Sequence, residues 1–220
     1  MATQMGQRMV FENSKALINS LGYSAAHAKL TQSYLRSEVA LSTSVANYHL
    51  PVLVNDTQNG AVRVNEKRLN LQDIFITTEI EVLIGIGTAT ATDAKLYSFP
   101  NPQTFSTSGA AAALYSIYNG YLNLTLNNEQ VLPAWNTLRH LFVPQTQGGV
   151  GITAQTIFPI DQINFGEDAC YPVEPGIVMN GAANINFQLT ANGAPAAIQA
   201  NSFICVIQYG ILAQNVTTVK

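Results

Sequence analysis

Residues 74 to 87, IFITTEIEVLIGIG, hold a two-residue alternation along their whole length. Ile74, Ile76, Thr78, Ile80, Val82, Ile84 and Ile86 fall on one side, and Phe75, Thr77, Glu79, Glu81, Leu83, Gly85 and Gly87 on the other. Side chains of a strand point alternately to its two faces, so the pattern predicts a β-strand packed on a core through its aliphatic side. At about 3.4 Å per residue it would run about 40 Å, which calls for a large sheet or a bend midway.

Upstream the periodicity is different. ENSKALINSLG offers Asn13 or Ser14 as a helix N-cap and Gly22 as its stop. SAAHAKLTQSYLRSEVALS follows, with Ser24 as a second cap, Ala26, Leu30 and Tyr34 four apart, and Leu35 and Val39 beside them. The spacing predicts two short helices, an N-terminal arm over residues 1–47 too poor in apolar surface to fold alone. Leu17, Ile18, Leu21, Leu30, Tyr34 and Leu35 are its expected docking contacts.

From Tyr48 onward the signals are strands and turns. YHLPVLV carries Pro51 and suits an edge or an entry strand. Asn-Gly pairs begin at Asn59, Asn119, Asn180 and Asn192, and that dipeptide favours two-residue hairpins because both positions tolerate positive φ. LYSIYNGYLNLTL therefore predicts a hairpin about Asn119, with Leu122, Leu124 and Leu126 on one face. Ile185, Phe187 and Leu189 are expected to pair with a long last strand whose inner face is Phe203, Cys205, Ile207, Tyr209 and Ile211. GAAAAL at 109–114 suits a short helical turn. No βαβ rhythm and no fixed repeat appears. The expected fold is mainly β: an antiparallel β-sandwich or jelly roll over residues 48–220 behind the helical arm.

Composition changes the picture in one respect. Charged residues make up 10 % of the chain against about 25 % in ordinary domains, so its polarity rests on Asn, Thr, Gln and Ser, together 66 residues. With a net charge of −3, such a surface hydrogen-bonds well and repels its own copies weakly. Interface centres are depleted in charge, so the composition points to burial in subunit contacts. The N-terminus MATQMGQRMVFENSK has no apolar leader and no stretch has the length of a membrane span, so the expectation is a soluble protein made in a cytoplasm. Residues 1–68 hold seven Lys or Arg against four acids, and 69–220 hold three against nine. The arm thus suits the acidic body of a neighbouring copy, while seven cations are few for gripping a genome.

Candidate chemistry is sparse. Glu79 and Glu81 share one side of the long strand at about 7 Å, a separation compatible with acid and base work on glycosides, although solvated Glu is common on an outward strand face. Asp161, Glu167, Asp168 and Glu174 gather in an acidic loop without calcium-loop spacing. His27, His49 and His140 are scattered, Cys170 and Cys205 have the spacing of neither a metal clip nor a redox motif, and no nucleophile motif is present. No cofactor or metal is expected. Arg8, Lys15, Lys29 and Arg36 recur at multiples of seven along the arm. Trp135, Tyr118 and Tyr121 are the candidate stacking residues for a sugar.

The arm, EKRLNLQDIFITTEIEVLIGIG leading the long strand, LYSIYNGYLNLTLNNEQVLPAW as a hairpin and the Thr/Asn/Gln/Ala-rich body together resemble a bacteriophage virion structural protein of the jelly-roll capsid type. That resemblance implies a subunit without catalysis that tiles or decorates a viral shell, with copies of itself and other virion proteins as partners and the virion as its location. The alternative is a carbohydrate- or receptor-binding sandwich of a phage tail or surface appendage, binding through Trp135, Tyr118, Tyr121 or the long loops.

Overall fold

The computed structural model describes residues 12–24, 28–50, 52, 69, 73–86, 95–97, 105, 107, 112–141 and 170–218. In chain order these form helix α1 (12–20), strands β1 (Tyr23–Ser24), β2 (Lys29–Ala40), β3 (Asn47–His49), β4 (Ile74–Ile86) and β5 (Lys95–Tyr97), helix α2 (Ala112–Tyr118), strands β6 (Tyr121–Leu126) and β7 (Glu129–Asn136), a 3-10 turn (Thr137–His140), and strands β8 (Cys170–Asn180), β9 (Ile185–Thr190), β10 (Ser202–Gln214) and β11 (Thr217–Thr218). The protein is mainly β. One sheet runs β2-β10-β4, with β8 and β5 both pairing the far side of β4; the second runs β3-β9-β6-β7. Every pairing is antiparallel.

The two sheets face each other across the main core. The first contributes Leu35, Phe75, Ile80, Val82, Ile84, Ile204, Val206 and Leu212, and the second Tyr48, Leu122, Leu124, Leu132, Phe187 and Leu189, with Leu114, Ile117 and Tyr118 of α2 between them. The Tyr48 hydroxyl, at the margin of this core, donates to the Val45 carbonyl at 2.7 Å.

Strand β4 has the predicted length, but its aliphatic side does not stay on one side of the sheet. Gly210 pairs with Thr77 and Tyr209 with Glu79, so Thr78 is an extra residue, a β-bulge. One inserted residue inverts the alternation downstream. Phe75 and Ile80 therefore both enter the main core, while Ile74 and Ile76 turn to the outer face. There they meet Ile18, Leu17, Leu30, Val178 and Ala213, so α1 seals this end of the outer face. Ile18 has no solvent exposure, and burial of such a side chain stabilises by roughly 2 kcal/mol.

The second predicted helix of the arm is a correction: residues 29–40 are strand β2, in unbroken register with β10 from Lys29↔Gln214 to Ala40↔Phe203. Leu30, Tyr34 and Leu35 are thus sheet residues, the arm predicted up to residue 47 reduces to α1, and the seven-residue basic stripe dissolves, since Lys29 and Arg36 lie on β2. The inward positions include Ser33, Leu35, Ser37 and Val39; two small hydroxyls, both buried, disguised the alternation. Pairing along twelve residues overrides the local helical spacing.

The predicted hairpin at Asn119 is also corrected. Residues 112–118 are α2, which the GAAAAL stretch enters, and Asn119-Gly120 ends it. The hairpin lies one strand later, where Asn127 (φ 50°) and Asn128 (φ 69°) link β6 to β7; Asn tolerates the left-handed region almost as Gly does. Asn180-Gly181 and Asn192-Gly193 occupy connections outside any hairpin, and Asn59 lies outside the described residues. Strand β9 pairs with β3 and β6, not with β10. The expected inner face of β10 is its outer one: Ile204 and Val206 enter the main core, whereas Cys205 and Ile207 pack outward with Leu83, Tyr34, Leu96, Phe203 and Tyr209.

One polar pair lies between the sheets. The Thr77 hydroxyl donates to Gln208 Oε1 at 3.0 Å, both residues are buried, and Gln208 Nε2 has no partner. A buried unmet donor is costly, and removing only one member of such a pair is worse than removing both. Thr77→Val is expected to destabilise by about 1–2 kcal/mol, and the double variant Thr77→Val/Gln208→Met to regain at least that amount, as read from denaturant midpoints.

Candidate functional site

Strands β7 and β8 are edge strands of the two facing sheets, and a cluster of rings closes the gap between them. The 3-10 turn after β7 is built locally. Asn136 caps it by accepting the Leu138 amide at 2.8 Å, and the Thr137 hydroxyl donates to the Ile117 and Tyr118 carbonyls at 2.8 and 3.0 Å, tying the turn to the end of α2. This puts His140, fully buried, under Trp135. The indole Nε1–H donates to His140 Nε2 at 2.9 Å, so that nitrogen carries no proton.

Tyr171 arrives from β8. Its ring centroid lies 6.2 Å from those of both Trp135 and His140, at 76° to each, an edge-to-face arrangement worth roughly 0.5–1.5 kcal/mol per pair. The Arg139 guanidinium stands 4.6 Å from the Trp135 ring centroid and 5.6 Å from that of Tyr171. Tyr171 remains 41 % exposed. The rim thus offers an open aromatic face with a cation held beside it, an arrangement suited to stacking on a planar or ring-shaped polar ligand.

The outer face of the first sheet carries the other chemical groups. Glu79 and Glu81 do lie on one side, but each takes a proton donor from a neighbour: Tyr209 Oη–H donates to Glu81 Oε2 at 2.9 Å, and Cys170 Sγ–H to Glu79 Oε2 at 3.4 Å. Burial, reinforced by these carboxylates, pushes the Tyr209 phenol and the Cys170 thiol far above their ordinary ranges. Cys170 is thereby held as an inert thiol rather than a nucleophile. Cys205, the other cysteine, is in no disulfide and is buried. Among the described residues no group of three or more His, Cys, Asp or Glu could hold a metal ion, and no helix is long and apolar enough to cross a membrane.

The structure does not bring the three predicted stacking residues together. Trp135 is at the rim, Tyr118 is wholly buried in the main core and has no face for a ligand, and Tyr121 is exposed on β6. Of the predicted docking residues, Leu35 is in the main core, Ile18, Leu17 and Leu30 pack in the outer cluster, Tyr34 stands opposite Tyr209 and packs on the cluster of Leu83, Cys205 and Ile207, and Leu21 is 51 % exposed. Tyr171, Arg139 and His140 escaped sequence reasoning as members of one site. Arg139 and His140 follow Trp135 closely, whereas nothing in the chain marks Tyr171 as their partner. His27, Arg8, Asp161, Glu167 and Asp168 lie outside the described residues. Neither protein-family models, nor curated proteins, nor solved structures give a match to this chain.

Proposed function

We propose that the chain is a non-enzymatic virion structural protein, a self-assembling capsid subunit of the jelly-roll kind. The observation that carries this reading is the pairing of the eight principal strands. The first pairs with the last (β2 with β10), the second with the seventh (β3 with β9), the third with the sixth (β4 with β8) and the fourth with the fifth (β6 with β7). Nested pairing of this order supports the jelly-roll reading, a long hairpin rolled across two sheets that serves in viral capsids and lectins alike. Fold alone does not choose between those roles. The scarcity of charge, 23 ionisable Asp, Glu, Lys and Arg from 13 acids and 10 bases in 220 residues, favours a surface covered by neighbouring copies.

Contacts between neutral amides and hydroxyls are screened little by salt. Sedimentation velocity across protein concentration is therefore expected to show association that persists from 0.1 to 1 M NaCl. Association abolished by salt would mean that charge, not this surface, holds the copies together.

The exposed Tyr171 face beside Arg139 and Trp135 favours a second reading, a carbohydrate-binding sandwich. Trp135 is the sole tryptophan, so its fluorescence reports this site directly. Under the second reading an oligosaccharide titration shifts that emission and Tyr171→Ala removes the response; under the first, the emission does not change.

A further inference from the structure

Where charge is scarce, the partner of each cation matters. Lys15 pairs with Glu12 and Arg36 with Glu38, whereas Arg139 forms no ion pair among the described residues and lies against rings instead. Its guanidinium carbon is 4.6 Å from the Trp135 ring centroid and 5.6 Å from that of Tyr171. Attraction to the indole neutralises no charge and leaves N–H donors over, since a guanidinium carries five in a fork.

The support under this cation is built in advance. Arg139 sits in the 3-10 turn, whose backbone is held by the Asn136 cap, the Thr137 hydroxyl and the Leu141 amide, which donates to the Leu138 carbonyl at 3.1 Å. Trp135 is fixed in turn by its hydrogen bond to buried His140. A ligand therefore meets groups already ordered, which lowers the entropic cost of binding. Arg139 and Tyr171 both remain exposed to solvent.

We propose that Arg139 and Tyr171 bind an acidic sugar, whose pyranose ring packs on the Tyr171 ring while a carboxylate carried by that same pyranose takes the Arg139 fork. This rests on the carbohydrate-binding reading and names its ligand class. The C–H face of a sugar is apolar and suits the face of a phenol ring, and the planar guanidinium suits bidentate recognition of a carboxylate or phosphate. The 5.6 Å between cation and ring decides between these anions. It fits a charge borne on the stacked ring itself, whereas in a nucleotide the phosphate is separated from the base by a whole sugar. The net charge of the chain is −3, so the attraction is local and acts within a screening length of about 10 Å at 0.1 M salt.

The test follows Trp135 emission of the full chain, with isothermal titration calorimetry as a readout independent of fluorescence. Two matched pairs separate ring from charge: trigalacturonate against its methyl ester, and sialyllactose against lactose. At least one acid is expected to bind about tenfold or more tightly than its uncharged partner, and a rise in salt from about 0.1 to 1 M to narrow that gap. Arg139→Gln is expected to abolish the preference and leave binding of the uncharged partner, while Tyr171→Ala weakens both members of the pair. Both side chains are exposed, so circular dichroism should show each variant folded.

Equal binding of acid and uncharged partner in both pairs, or a preference that survives Arg139→Gln, overturns the proposal and leaves the carbohydrate reading standing. Binding of none of the four sugars overturns both. Tighter binding of an oligothymidylate than of either acid would assign the rings and the cation to nucleic acid, and the proposal would fall with that result.

Discussion

Gly210→Ala is expected to be the most damaging small substitution in the protein, lowering stability by about 4 kcal/mol or more and the melting temperature by about 8–16 °C. A Cβ on Gly210 would lie 1.8 Å from the Ile76 carbonyl oxygen, 2.8 Å from its carbonyl carbon and 3.1 Å from Thr77 Cα. All three are backbone atoms, so no side-chain rotation relieves the clash. The contact exists because the bulge at Thr78 brings the backbone of β4 over the neighbouring strand at this point. That bulge turns Ile74 and Ile76 toward α1 and Ile80, Val82 and Ile84 toward the second sheet, so the two clusters depend on a residue without a side chain at position 210. Gly193→Ala is the control. It has φ +85° and nothing within 4 Å, so only the left-handed backbone is strained, at about 1–2 kcal/mol. Thermal melts followed by circular dichroism decide the matter; equal losses from the two variants would mean that the bulge does not constrain β10 as described.

The second large effect is alkaline unfolding. Tyr118, buried in the main core, has its phenol raised far above the ordinary 10.0 by burial, with the Glu81 charge adding to the shift. Tyr209 and Cys170 are raised on the outer face. A raised folded value means that the native state holds its protons more tightly than the unfolded chain. The resulting stability is intact below the ordinary values, 9.0 for the thiol and 10.0 for the phenols, and is lost as pH climbs above them. For a fully buried group the loss is about 1.4 kcal/mol per pH unit, so Tyr118 alone removes about 3 kcal/mol by roughly pH 12. Denaturant midpoints between pH 8 and 11.5 are expected to fall increasingly steeply above pH 10. Tyr118→Phe should flatten that descent by about 1.4 kcal/mol per pH unit. An unchanged curve for this variant would contradict the burial of the phenol.

The sequence shows its β character plainly where strands are apolar on one side and interrupted by turn residues. It identifies the long strand at 74–86, the edge strand before Pro51, the first helix with its stop at Gly22 (φ +80°), and the helical turn near residue 112. It misleads where burial and polarity part company. Ser33 and Ser37 face inward on β2 because small hydroxyls fit close to a central strand, and their polarity leaves only the helical spacing of Leu30, Tyr34 and Leu35 in view. β10 is apolar on both faces since both are covered, so its alternation does not tell which residues meet the second sheet. The bulge at Thr78 is silent because Thr suits either face.

The candidate site was half legible for a related reason. Trp135 is conspicuous as the sole tryptophan, but its partners come from the turn that follows and from a strand of the opposite sheet. The connection from β9 to β10 likewise changes sheets, whereas two adjacent apolar segments suggest simple neighbours. Long-range strand pairing of this kind leaves no local trace.

The central claim is that the neutral, charge-poor exterior is a surface for other copies. Negative-stain electron microscopy of the purified full chain, from micromolar to millimolar concentration, tests it most directly. The account predicts regular closed or tiled assemblies that grow in number with concentration. A field of separate particles no larger than one 23.7 kDa chain at every concentration would contradict it.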